Sequence, residues 1–113
     1  MSKQYIAVGA QWCGYSTKQK DEIDKLQGAD NVHMLMCQGD GTDWEDGSWQ
    51  KKTCDAAMGQ IQGFPTWFEK EGDIDGDGEV KAIVEEKTVQ QGLHFMPQDR
   101  LCEALPGACE TKE

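Results

Sequence analysis

Basic charge is in short supply in this chain relative to acidic charge. Its 113 residues carry 11 Lys and Arg against 21 Asp and Glu, a net charge of −10. That balance repels nucleic acid and anionic membrane surfaces and excludes both as expected partners. Long apolar runs are missing too: no segment approaches the roughly eighteen apolar residues of a membrane-spanning helix, and the first residues lack the basic start and apolar middle of a signal peptide. A soluble chain without direct membrane insertion is expected. There is no internal repeat, no linker-like stretch and no low-complexity tract beyond one acidic turn. One monomeric domain over 1–113 is therefore expected, with a single modest core. His33 and His94 have no partner at ligand spacing and read as ordinary structural or surface residues. The chain is also one cysteine short of an even set, with five.

What is present concentrates in two places. Trp12-Cys13-Gly14-Tyr15-Ser16 follows an apolar run, and Gly63-Phe64-Pro65-Thr66-Trp67 comes about fifty residues later. A cysteine between a strand and a helix start sits where free backbone N–H groups and the helix dipole favour a negative sulfur, and hence a nucleophile. A proline between a bulky apolar residue and a threonine suits a tight turn with a cis X–Pro bond, which would present backbone to an incoming peptide. Taken singly, Cys13 is a small buried hydrophobe and Pro65 an edge-strand proline. Together they predict a thiol redox site.

The odd cysteine count sharpens this. If Ser16 stands where a cysteine belongs, six positions pair in sequence order as 13/16, 37/54 and 102/109. Ser16 is then either a natural monothiol variant or an engineered trapping replacement. The second is preferred, because Cys→Ser is nearly isosteric and arrests the second half of thiol–disulfide exchange. Cys37 and Cys54 read as a structural disulfide ahead of two free buried thiols or a second redox pair. Cys102 and Cys109 would lie roughly 10 Å apart on a continuous helix, beyond the about 7 Å limit for bridging. Their disulfide, with free thiols as the alternative, needs the break that Pro106-Gly107 supplies.

Periodicity gives the element order. A strand is predicted over 4–10, then a helix over 14–27 with Tyr15, Gln19, Ile23 and Leu26 at helical spacing, ending at Gly28. A second strand follows over 31–37, with Val32, Met34 and Met36 on one side. The Gly- and Asp-rich stretch 38–48 is loop, and Ser48 caps a helix over 49–60. Two strands over 64–70 and 79–89, joined by an acidic turn, form a hairpin, and a last short helix covers 97–105. The order is βαβαββα.

That order, with a cysteine at the start of the first helix and a proline before the third strand, resembles the minimal thioredoxin fold, an α/β fold with a four-stranded mixed sheet and helices on both faces. Within that superfamily the chain is similar to the thioredoxin-like domain of vitamin K epoxide reductase homologues. The similarity rests on Trp12-Cys13, Gln19-Lys20, the Cys37 and Cys54 pair bracketing a polar loop, Cys54-Asp55-Ala56-Ala57, and Ile61-Gln62-Gly63-Phe64-Pro65-Thr66-Trp67. The departures are Ser16, a longer hairpin at 71–78 and the absence of a membrane-embedded reductase part. The resemblance implies a thiol–disulfide oxidoreductase of an oxidising compartment (periplasm, lumen or secretory pathway). It would act on protein thiols and disulfides, with a membrane quinone-linked reductase as a further partner.

On that basis Cys13 is the attacking sulfur, with N–H donors from Tyr15 and Ser16 and a hydrogen bond from the Ser16 hydroxyl, and Ser16 leaves resolution and hence turnover impaired. Trp12, Gly14, Tyr15, Phe64, Pro65 and Thr66 would bind the substrate segment, Pro65 in strand-like fashion. No cofactor is expected. Asp73, Asp75 and Asp77 match the first half of a calcium loop, but Val84 stands where the bidentate Glu belongs, so a solvated acidic turn is the preferred reading. Two other functions stay open. One is a redox-inactive peptide-binding module. The other, less favoured, is a monothiol glutaredoxin-like iron–sulfur protein, suggested by Cys-Gly-Tyr-Ser but lacking the expected glutathione signature after the fourth strand.

Overall fold

The computed structural model describes residues 3–26, 30–61, 63–83, 95–97, 99, 101 and 103. Strand β1 (Lys3–Ala10) is followed by helix α1 (Gly14–Asp24), strand β2 (Val32–Gln38), helix α2 (Trp49–Met58) and strands β3 (Thr66–Glu71) and β4 (Val80–Ala82). The sheet order is β2-β1-β3-β4. β1 pairs parallel with β2 and antiparallel with β3, and β3 pairs antiparallel with β4. This is the α/β arrangement of a minimal thioredoxin fold.

β1 explains why the sheet has two covered faces. Its residues from Tyr5 to Ala10 are all buried, and successive side chains of a strand point to opposite sides. Tyr5 and Ala7 join Trp67, Val32, Met96 and Leu101 in one core, against which Ile23 and Leu26 of the α1 region pack. Ile6 and Val8 join Leu35 and Phe68 in the other, with Cys54 and Ala57 of α2. The helices therefore lie on opposite faces. Asp99, Leu101 and Glu103 are helical and the Leu101 N–H donates to the Pro97 carbonyl at 3.0 Å, within the predicted last helix.

Helix α2 begins as its sequence predicts. The Ser48 hydroxyl accepts from the Lys51 N–H, and the helix stops at Gly59. Cys54, in its middle, is disulfide-bonded to Cys37 on β2, with Cα atoms 5.6 Å apart. The ladder between β1 and β2 shifts register at this point, Gly9 facing Met36 and Ala10 facing Gln38. Cys37 is the residue skipped, and it is the one that reaches across to α2. The alternation expected on β2 is two-sided: Val32 and Met34 serve one core, Leu35 and Cys37 the other.

Two boundaries differ from expectation. The described part of β4 is Val80–Ala82, and the remainder of the predicted strand 79–89 falls largely outside the described residues. Helix α1 ends at Asp24, with Lys25 as its cap. Cys102, Cys109 and His94 also lie outside the described residues. Among the described residues no helix is long and apolar enough to cross a membrane.

Candidate thiol site

The C-terminal end of β1 delivers the chain to the site. The Cys13 N–H donates to the Ala10 carbonyl at 3.0 Å, closing the turn that links β1 to α1, and the Thr17 N–H donates to the Cys13 carbonyl at 3.2 Å. Cys13 is thereby the N-cap of α1, with extended backbone. No acidic residue stands in the first helical turn, so the positive end of the helix dipole is left uncompensated beside Cys13. Cys13 is half-buried and is the one free cysteine among the described residues.

The second segment meets it from the start of β3. The Phe64–Pro65 bond is cis, and the Cys13 thiol donates to the Phe64 carbonyl, with Sγ 3.7 Å from the oxygen. Residues 51 apart in sequence are thus brought into contact. Trp12 is 68 % exposed, and its ring meets Phe64 edge-on with centroids 5.7 Å apart. Tyr15, 46 % exposed, has Phe95 at 6.3 Å and the Lys18 ammonium 5.5 Å above its ring. Cys13 thus stands in the chain between two exposed aromatic residues, with its sulfur against the Phe64 backbone.

Several predicted roles are corrected by this geometry. Tyr15 does not face the core. Ser16 takes that place, fully buried, because Ser16, Gln19 and Ile23 are the residues of α1 that face the sheet. The Ser16 hydroxyl turns inward and accepts from the Ala10 N–H at 3.0 Å, instead of donating to the Cys13 sulfur. Nor does the Cys13 side chain take the N–H groups of Tyr15 and Ser16: it makes no capping hydrogen bond, because its sulfur points across to Phe64. Pro65 and Thr66 are buried, and the Thr66 hydroxyl donates to the Gly63 carbonyl, closing the turn that carries Phe64. Of the three, only Phe64 reaches the surface. Gly14 is exposed, with nothing within 4 Å of where a Cβ would stand.

Two contributors escape a reading of the sequence. Gln19 is fully buried. Its amide donates to the Met96 carbonyl at 2.9 Å, and its carbonyl accepts from the Met96 N–H at 2.6 Å and from the Trp67 indole at 3.3 Å. It ties α1 to β3 and to the segment that supplies Phe95. A polar residue within a helical apolar stripe was the available signal. Phe95 itself, some eighty residues from Tyr15, left none.

The acidic hairpin offers no gathered ligands. Among the described residues no group of three or more His, Cys, Asp or Glu side chains is placed to hold a metal. The Asp77 carboxylate pairs with Lys52 at 3.3 Å. The loop instead receives the ammonium of Lys70, which donates to the Ile74 and Gly76 carbonyls.

Comparison with known proteins yields no matching family model, no matching curated protein and no matching solved structure.

Proposed function

We propose that this chain is a thiol–disulfide exchange domain whose nucleophile is Cys13. The contact that carries the reading is that of Cys13 with the Phe64 carbonyl: a free, half-buried sulfur at the N-cap of a helix, beside the backbone of a second segment. The thiolate of Cys13 would attack one sulfur of a substrate disulfide. A Cys13–substrate disulfide forms, the substrate bond breaks, and the displaced sulfur leaves as a thiolate that takes up a proton. The attacking sulfur stands at the N-terminal end of α1. Trp12, Phe64 and Tyr15 provide apolar surface on which a substrate chain can rest.

Ser16 stands where the resolving thiol is expected. A hydroxyl cannot attack the mixed disulfide, so the chain would capture substrates without releasing them by a second thiol. The Cys37–Cys54 disulfide fits an oxidising compartment such as a periplasm or lumen, and the proposed partners are proteins bearing thiols or disulfides, a membrane quinone-linked reductase among them.

Incubation with a disulfide-bonded protein, followed by non-reducing electrophoresis, tests the reading. A mixed disulfide should accumulate and vanish in Cys13→Ala, while Ser16→Cys should convert capture into turnover. Absence of any adduct would overturn it. The burial of the Ser16 hydroxyl against Ala10 favours a second reading, in which the same aromatic surface holds extended segments without exchange. Peptide binding that survives Cys13→Ala, with no turnover in Ser16→Cys, would select it.

A further inference from the structure

β2 is the outer strand of the sheet, with β1 on one side and, among the described residues, no strand on the other. Its ladder fixes which main-chain groups face outward. In an extended strand the N–H and C=O of one residue point to the same side and those of the next residue to the other. The Tyr5 N–H donates to the Asn31 carbonyl at 2.7 Å, so Asn31, His33 and Leu35 turn their backbone to β1, and Val32, Met34 and Met36 turn theirs away. The Trp44 indole agrees with this, donating to the Met36 carbonyl at 2.9 Å from the loop that follows β2. The outward N–H and C=O of Val32 and Met34 and the Met36 N–H have no partner among the described residues. Solvent reaches this strand: β1 is buried from Tyr5 to Ala10, whereas His33, Met34, Met36, Cys37 and Gln38 of β2 are only half-buried.

Open edges of native sheets ordinarily carry a charge or a proline that blocks pairing. β4, the outer strand on the other side, has the exposed Lys81 at its centre. β2 reads Val-His-Met-Leu-Met-Cys-Gln and has neither device. Charge stands at its two ends instead: Asp30 before it, and Asp40, Asp43, Glu45 and Asp46 after it, all exposed and none in an ion pair among the described residues. No Lys or Arg occurs between Lys25 and Lys51. Pairing β2 with the β2 of a second copy would set these acidic ends against one another in either orientation, and like charges brought together oppose the contact. The edge therefore suits a cationic chain and not its own copy.

We propose that the outer edge of β2 takes an extended segment of a basic partner protein as a fifth strand. The backbone of that segment bonds Val32, Met34 and Met36, and Lys or Arg residues flanking its uncharged middle meet Asp30 at one end and the acidic loop at the other. Main-chain pairing supplies the affinity and the charged ends choose the partner. At about 3.3 Å per residue, roughly eight residues span the strand from end to end. The proposal does not depend on the thiol chemistry of Cys13.

The test titrates the full chain with the peptide acetyl-Lys-Lys-Val-Thr-Val-Thr-Val-Lys-Lys-amide, followed by amide NMR shifts and hydrogen exchange. Saturable shifts over 31–38 and slowed exchange at the Met34 and Met36 N–H groups are expected. The same peptide N-methylated at its five central residues keeps the charge but cannot pair, and should leave both amides unprotected. Met36→Pro removes an outward donor while its ladder to β1 needs none there, and should weaken binding about tenfold, as should Asp43→Lys combined with Glu45→Lys, both exposed. Should Met36→Pro fail to fold, the charge variant decides. Three results overturn the proposal: no protection of Met34 and Met36 at millimolar peptide, equal binding of the N-methylated peptide, or a peptide-free chain that is already dimeric with these amides protected, which assigns the edge to a second copy.

Discussion

Gly9 has no room for a side chain. A Cβ there would stand 2.5 Å from the Ser16 hydroxyl oxygen and 2.7 Å from the Met34 methyl carbon, so β1 and α1 approach each other at the one residue that permits it. Gly9→Ala should therefore destabilise the fold by about 1–3 kcal/mol, the usual cost of overpacking. Gly14 is the matched control, since nothing lies within 4 Å of its would-be Cβ, and Gly14→Ala should stay within about 0.5 kcal/mol of the parent. Urea unfolding of both variants checks the contrast. The same residues explain why position 16 is deceptive in the sequence. It lies three places from the half-buried Cys13, yet it belongs to the core, and its hydroxyl answers a strand N–H.

Helix α2 is held at two points that act separately. Its start depends on the Ser48 hydroxyl at the Lys51 N–H, and Ser48→Ala should cost about 1 kcal/mol of stability, read as a lowered urea midpoint. Its middle is tied to β2 by the Cys37–Cys54 disulfide, which closes a sequence separation of 17 residues. On the chain-entropy estimate, replacing both cysteines by alanine should cost about 3 kcal/mol. The two losses should be nearly additive in a triple variant, because the cap and the disulfide share no partner. Helix α1 depends instead on burial. It has no side-chain cap, and its inner face carries Ser16 and Gln19 in a knot of hydrogen bonds where most helices place apolar residues.

At the scale of the whole molecule, acidity should weaken the fold through His33. His33 lies between Gln4, which meets its Nε2 at 2.8 Å, and the Trp49 ring. Burial holds its imidazole below the ordinary 6.5, so the unfolded chain takes up a proton that the folded chain resists. The His33 contribution is complete above about pH 6.5 and is lost as the pH falls below it. Tm should decline between about pH 7 and 5, and His33→Gln should flatten part of that decline. An unchanged profile in His33→Gln would assign the slope to other groups. The net charge of −10 acts over the same molecule to oppose self-association.

Much of this fold was legible along the chain. Apolar runs of strand length and the Ser48 cap are local signals, and each leads to an element where it was expected. The Cys37–Cys54 pair and the cis Phe64–Pro65 bond were legible in the same way, from residue type and neighbours. What could not be read is which way a side chain turns once its element is packed. Tyr15 and Ser16 are adjacent, and only the angle at which α1 meets the sheet sends one outward and the other inward. Asp73, Asp75 and Asp77 have ligand spacing, yet the cation in that loop comes from Lys70 on the neighbouring strand.

The order of elements, their approximate extents, the candidate nucleophile and the acidic surface were determined by the amino-acid sequence itself, because each depends on interactions within a few residues or on composition. The meeting of Cys13 with Phe64 and the Gln19 knot were decided only in three dimensions. Each requires groups that the sheet brings together from distant parts of the chain, and burial there forces them to find partners they would not need in water.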